Sequence, residues 1–102
     1  SGQVINKACQ VSLEFLIPRP RSHYGTGRNK HKLKPSAPSF CTSTRNGDID
    51  KLCRSTIDGL SVTSGGALIA DDSLIVQLTA SKRYCFENEL FGAWILISEP
   101  QN

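Results

Sequence analysis

All five aspartates of this chain of 102 residues lie within one stretch of 25 residues, and their spacing suggests metal chemistry. Asp48 and Asp50 stand where a helix is predicted to begin, and Asp71 and Asp72 form an adjacent pair before a predicted strand. Carboxylates that converge repel each other, so a cluster of them is stable only with a cation between them. Hard oxygen ligands select Mg²⁺ or Mn²⁺. A metal ion held in this way can hydrolyse phosphodiesters.

Each of these residues also has a simpler explanation. Asp48 is a good helix N-cap, adjacent aspartates are common in turns, and Asp50 with Arg54 has the spacing of a surface ion pair. A metal site requires the two acid pairs to converge, which we expect if the strand after Asp72 pairs beside the first strand. Arg54 would then steady a carboxylate or the charge that develops on the phosphate. The residues alone leave both explanations open.

A basic segment precedes the aspartates. No acid occurs between Glu14 and Asp48, whereas that interval contains seven Lys and Arg residues. Residues 19–47 have no sustained periodicity and contain Pro and Gly, so we predict a long loop. A solvated charged loop is one reading, and the absence of acids favours a polyanion bound through its phosphates. The predicted DNA contacts are Arg19, Arg21, His23, Arg28, Lys30, Lys32, Lys34, Arg45 and Lys51.

Three strands and one helix are predicted to position these residues. Residues 8–17 alternate between apolar and polar, which is typical of a half-buried strand. Residues 48–62 place their apolar side chains at helical spacing. Residues 73–84 and 93–98 are predicted to be strands that pair as a hairpin. The expected fold is α+β: a single domain over residues 1–102, with one amphipathic helix packed on a small three-stranded mixed or antiparallel sheet.

Composition excludes several classes of protein. Charged residues make up 21% and hydrophobic residues 38% of the chain, which excludes intrinsic disorder. No apolar run approaches the roughly 20 residues that a membrane span needs. The four cysteines include no C-x-x-C pair, and with only two histidines they do not suggest a zinc site. Cys9 and Cys53 are expected to be buried free thiols of a cytoplasmic protein.

Two segments resemble a known family. The run from Gly47 to Leu60 resembles the signature D-x-D-N-L-x-K-x-x-x-D-A-L of RusA-type Holliday junction resolvases, and Ile69 to Val76 resembles the D-D-x-x-V segment of that family. The run from Lys82 to Tyr84 is similar to a strand-end pattern found there. The basic segment is similar to a loop of phage and prophage members. The resemblance covers residues 8–98.

The resemblance implies an enzyme that binds four-way DNA junctions as a homodimer. Such an enzyme nicks two strands symmetrically in recombination and repair, with Mg²⁺ or Mn²⁺. The family's metal-binding aspartates correspond to Asp48, Asp50 and Asp72, with Asp71 as a neighbouring acid that assists. Arg54 stands where the family has its helix lysine, and the resemblance implies a catalytic role for it. The resemblance also implies a bacterial or phage-encoded cytoplasmic protein with no membrane partner and no small-molecule cofactor.

The chain departs from the family at its front. Family members carry a strand and a long helix before the strand equivalent to residues 8–17, and this chain has neither these elements nor a methionine. We therefore expect a truncated protein. Lys51 replaces the asparagine of the signature, and Gly59 replaces its alanine. Two alternatives follow: a catalytically impaired remnant that still binds junctions, and a small interaction domain whose aspartates serve only as caps and turns.

Overall fold

The first strand predicted from the sequence forms the centre of the sheet. In a computed structural model that describes residues 3–42, 47–86 and 88–101, strand β1 spans Cys9–Ile17. Its odd-numbered residues are all buried in one cluster with residues of the helix. Leu16, which points to the other face, is buried as well. Because β1 is the most deeply buried strand, it suits the position with a neighbour on each edge.

The sheet has the order β2–β1–β3. Strand β2 (Ile75–Tyr84) is parallel to β1, and β3 (Gly92–Ser98) is antiparallel to it. This confirms the α+β fold with a mixed three-stranded sheet, but the predicted hairpin is wrong. After β2 the chain passes beyond the end of β1, where the Cys85 N–H donates to the Ile17 carbonyl at 2.9 Å. It then returns on the far side of β1, so both edges of the buried strand are paired.

Helix α1 (Ile49–Leu60) connects the two parallel strands. It buries Cys53 and Leu60 against the sheet, and Cys9 and Cys53 are free buried thiols as predicted. The helix runs antiparallel to β2. The Lys82 ammonium near the end of β2 donates to the Gly47 carbonyl before the helix at 3.4 Å. At the other end, the segment that leads to the start of β2 pairs with the last turn of the helix.

A bulge interrupts the pairing of β2 with β1 near the start of both strands. Cys9 pairs with Ile75 and Gln10 pairs with Gln77, so Val76 is an extra residue on β2. The extra residue changes the face on which the following side chains lie. As a result Ile75 packs against the core, whereas Val76 is exposed.

The predicted loop over residues 19–47 is locally folded in its described part. It contains one 3₁₀ turn at Arg21–His23 and another at Gly27–Asn29. Tyr24, before the second turn, forms an antiparallel bridge with Leu33, which follows that turn. The segment is therefore a compact projection from the end of β1 rather than an extended arm.

The turn after α1 provides a test of this packing. A Cβ atom on Gly66 would meet the Gly59 carbonyl oxygen and would lie 2.7 Å from the Ser61 nitrogen. We expect Gly66→Ala to lower the free energy of unfolding by about 1–3 kcal/mol, because backbone atoms cannot move aside cheaply. Urea denaturation measures this change.

Gly59→Ala is the matched control. Gly59 lies in α1, and a Cβ atom there meets nothing within 4 Å. We expect that substitution to raise the free energy of unfolding by about 0.5–1 kcal/mol, because alanine is the better helix former. A Gly66→Ala protein as stable as the wild type would contradict the described packing of this turn.

Candidate nucleic-acid interface and carboxylate pairs

Helix α1 separates the two acid pairs. Asp48 and Asp50 stand at its start. Asp71 and Asp72 follow Ile69, which bridges to Ser61 just beyond the helix end. A helix of 12 residues is about 18 Å long. The pairs therefore lie at opposite ends of the sheet, although β2 does pair beside β1 as the expectation required.

One copy of the chain does not provide the predicted metal site. Among the residues that the structure describes, no group of three or more His, Cys, Asp or Glu side chains is placed to hold a metal ion. Asp48, Asp50 and Asp72 together therefore do not fit a Mg²⁺ ion within a single chain. The cause is the direction of α1, which carries the chain back along β2 before Asp72 is reached.

The first acid pair is exposed, and neither carboxylate has a hydrogen bond or ion pair with another described residue. Asp48 occupies the N-cap position as predicted, but its side chain makes no capping hydrogen bond. Asp50 and Arg54 are both exposed, and no ion pair between them is present in the described part of the chain. The charge of Asp50 acts with burial, the larger effect, to raise the pKa of the Cys53 thiol. Both carboxylates are thus available to a ligand.

The two acids of the second pair differ: Asp71 has a structural role in a turn, whereas the Asp72 side chain is open to a ligand. The Asp71 carboxylate accepts a hydrogen bond from the Ser73 N–H at 2.8 Å and begins a 3₁₀ turn. That bond is the main cause that lowers the pKa of Asp71. Asp72 is exposed. The turn explanation therefore applies to Asp71, whereas Asp72 is left for another role.

Tyr84 anchors the basic segment to the sheet. It is only 6% exposed at the end of β2. The Arg19 guanidinium lies 4.2 Å from the centre of its ring, and the His23 ring meets it edge-on at 5.3 Å. Arg19 also donates to the Pro38 carbonyl at 2.8 Å. Two of the predicted DNA contacts, Arg19 and His23, thus also hold the loop in place.

The remaining predicted contacts are mostly free side chains. Arg21 donates to the Lys30 carbonyl at 3.0 Å and braces the loop. Four cations of the loop and one of the helix are exposed, and none has a side-chain hydrogen bond or ion pair with another described residue: Arg28, Lys30, Lys32, Lys34 and Lys51. Arg45 lies outside the described residues. The basic loop therefore presents unneutralised charge at the end of the sheet where Asp48 and Asp50 lie.

Lys82 belongs to the same surface and was not among the predicted site residues. It lies on β2 opposite Phe15, on the face that α1 covers, and it reaches the Gly47 carbonyl next to Asp48. A lysine at an apolar position of an alternating strand was the signal that could have identified it. Its ammonium group adds a positive charge beside the first acid pair.

An ion pair closes the connection from β2 to β3. Arg83 donates two hydrogen bonds to Glu89, each 2.7 Å long, and it also lies 3.5 Å from Glu14. The Phe86 N–H donates to Glu89 at 2.9 Å, and the Arg83 guanidinium lies 4.6 Å from the centre of the Phe86 ring. These bonds fix the position of Phe86 beside the basic loop.

A projecting basic loop beside exposed carboxylates is typical of proteins that act on nucleic acid. A family model described as endodeoxyribonuclease RusA matches residues 1–91, and the chain belongs to the RusA family. The members are endonucleases of DNA recombination that act on branched DNA, so DNA is the partner of this chain. No curated protein and no solved structure matches it. Within the described residues, no helix has the length and apolar character needed to cross a membrane.

The Glu89 ion pair predicts a pH-dependent stability. Hydrogen bonds from Arg83, and then from the Phe86 N–H, lower the pKa of Glu89 from 4.5 to about 2. A lowered pKa stabilises the fold above the unfolded value, and this stabilisation disappears as the pH falls through the folded value. We expect Glu89→Gln to lower the melting temperature at pH 7. The difference from wild type should shrink below pH 4.5 and vanish near pH 2.

Glu99→Gln is the control for this prediction. Glu99 pairs with Lys7 at 3.6 Å, but its side chain is 84% exposed, and exposed pairs contribute little. The melting temperature of the Glu99→Gln variant should follow that of the wild type at every pH. A Glu89→Gln difference that stays constant from pH 7 to the acid limit would contradict the assignment.

Proposed function

We propose that this protein is a Holliday junction resolvase that nicks two strands symmetrically with the help of Mg²⁺ or Mn²⁺. The observation that supports this function best is the shared position of two features at one end of the sheet. The exposed Asp48 carboxylate, which makes no capping hydrogen bond, lies there with Asp50. The unneutralised cations of the basic loop project from the same end. Membership of the RusA family supplies the class of reaction.

The separation of the acid pairs favours a metal site shared between two copies. In a dimer with a two-fold axis, a contact from one copy to its partner is repeated in the opposite direction. Asp48 and Asp50 of one copy would then meet Asp72 of the partner subunit, and the dimer would hold two equal sites. Two equal sites match the two nicks that a symmetric junction requires. Carboxylate oxygens are suitable ligands for Mg²⁺ and Mn²⁺.

The basic residues have a separate role in this proposal. Arg28, Lys30, Lys32 and Lys34 would contact phosphates and hold the junction without reading its sequence. Lys82, beside Gly47, and the exposed Arg54 would offset negative charge next to the first acid pair. Because the cations and Asp48 lie at the same end of the sheet, binding through the loop would bring the DNA backbone toward the carboxylates.

One alternative has an observation in its favour. A junction-binding remnant without catalytic activity agrees with the absence of a metal-binding group of three within the described part of one chain. It predicts salt-dependent junction binding and no cleavage even with Mn²⁺. The two proposals therefore differ in one measurement, the appearance of paired nicks.

Complementation between two inactive variants tests the shared site. Asp48→Asn and Asp72→Asn should each reduce nicking of a synthetic four-way junction by about 100-fold or more. When the two are mixed, a heterodimer keeps one intact site, built from Asp48 of one copy and Asp72 of the partner subunit. We expect about a quarter of the wild-type nicking rate, because half of the dimers are mixed and each holds one site. Gel electrophoresis of the junction strands measures it.

Asp58→Asn is the matched control, because Asp58 is an exposed acid of the same helix that belongs to neither pair. It should keep wild-type activity. If the mixture shows no rescue while the wild type is active, the metal site is not shared in this way. If the wild type binds the junction but makes no nicks with Mg²⁺ or Mn²⁺, the remnant alternative is correct.

A further inference from the structure

Two adjoining cavities lie between the basic loop and the end of β2. One has a volume of about 380 Å³ and the other about 360 Å³. They share the lining residues Arg19, Tyr24 and His31, so they form one groove with two compartments. Among the described residues that line them, none is acidic. Arg21 and Lys30 complete the first, which we name the cationic compartment.

The cationic compartment has donors to spare. Arg19 uses only Nη1 for its hydrogen bonds to His23 and Pro38, and Arg21 uses only Nη1 for its bond to the Lys30 carbonyl. The Nε and Nη2 groups of both arginines have no hydrogen-bond partner among the described residues. A guanidinium group carries five N–H donors in a planar fork that suits phosphate oxygens. This compartment therefore suits a phosphate group.

The second compartment is aromatic in character. Besides Tyr24 and Tyr84 it is lined by Phe86, which is 71% exposed. The Arg83 guanidinium covers one face of the Phe86 ring, and the charge of Arg83 is already met by Glu89 and Glu14. The compartment thus offers an open aromatic surface and little charge for a second phosphate. Such surfaces bind nucleobases by stacking, whatever the base.

We infer that this groove binds one unpaired nucleotide, with its phosphate in the cationic compartment and its base against Phe86 and Tyr24. A base inside a duplex is stacked on both faces, so only a base outside the stack can enter. The inference rests on the proposed function in one respect: the branch point of a four-way junction is where such a base would arise. It goes beyond phosphate contacts, because it assigns a site to the base.

A comparison of two single strands with equal charge tests the inference. One is a short thymidine oligonucleotide, and the other has the same number of phosphates but abasic sugars. The wild-type protein should bind the thymidine strand about 5- to 150-fold more tightly, which is the range for stacking of one base. Phe86→Ala should abolish that difference and leave the affinity for the abasic strand and for a duplex unchanged. Fluorescence anisotropy measures each dissociation constant.

Phe40→Ala is the matched control, because Phe40 is an 80% exposed aromatic residue of the basic loop but lines neither compartment. It should bind both strands as the wild type does. Tyr24→Ala provides a second variant, and a thermal melt of each variant establishes that it is folded. Equal affinity of the wild type for the two strands, or a preference that survives in Phe86→Ala, would overturn the inference. Junction nicking is not the readout, so either result leaves the proposed function to be judged by its own experiment.

Discussion

Parallel pairing of β1 with β2 obliges the chain between them to return along the whole sheet, and α1 makes that return. The segment that leads from β1 into the helix, including the basic loop and Asp48, therefore lies at the end of the two strands. The segment that leads from the helix into β2, including Asp72, lies at their start. The arrangement of charge follows from this one constraint of topology. It is also the reason why acids that are close in sequence are far apart in one copy of the chain.

A second consequence is that the basic loop is anchored to the core. Tyr84 belongs to the buried cluster that contains Phe15 and Cys53, and the Arg19 guanidinium packs against the Tyr84 ring. A loop anchored in this way has less conformational freedom to lose when it binds DNA. The Arg83–Glu89 pair holds Phe86 near the same loop. In the proposed function, stability and DNA recognition at this end of the sheet would thus depend on the same contacts.

The local patterns were sufficient to predict β1, the helix with Asp48 at its N-cap position, and the type of fold. They were not sufficient for the order of the strands. A hairpin of β2 with β3 is equally plausible from the patterns, and only the burial of β1 favours the order in which β1 lies between them. The bulge at Val76 depends on pairing with β1, so the alternation of β2 could not reveal it. The distance from Asp48 to Asp72 depends on the direction of a whole helix, which no motif records. The family motifs identified the class of enzyme correctly, since they are carried by the residues themselves.

Sedimentation velocity over a range of protein concentrations, with and without Mg²⁺, tests the proposed shared metal site most directly. An ion that is bound only where two copies meet must stabilise the dimer, because binding and association are linked. We expect Mg²⁺ to lower the dissociation constant of the dimer and expect Asp48→Asn to remove that effect. An ion bound by the monomer, with a dimer dissociation constant that Mg²⁺ does not change, would contradict the account.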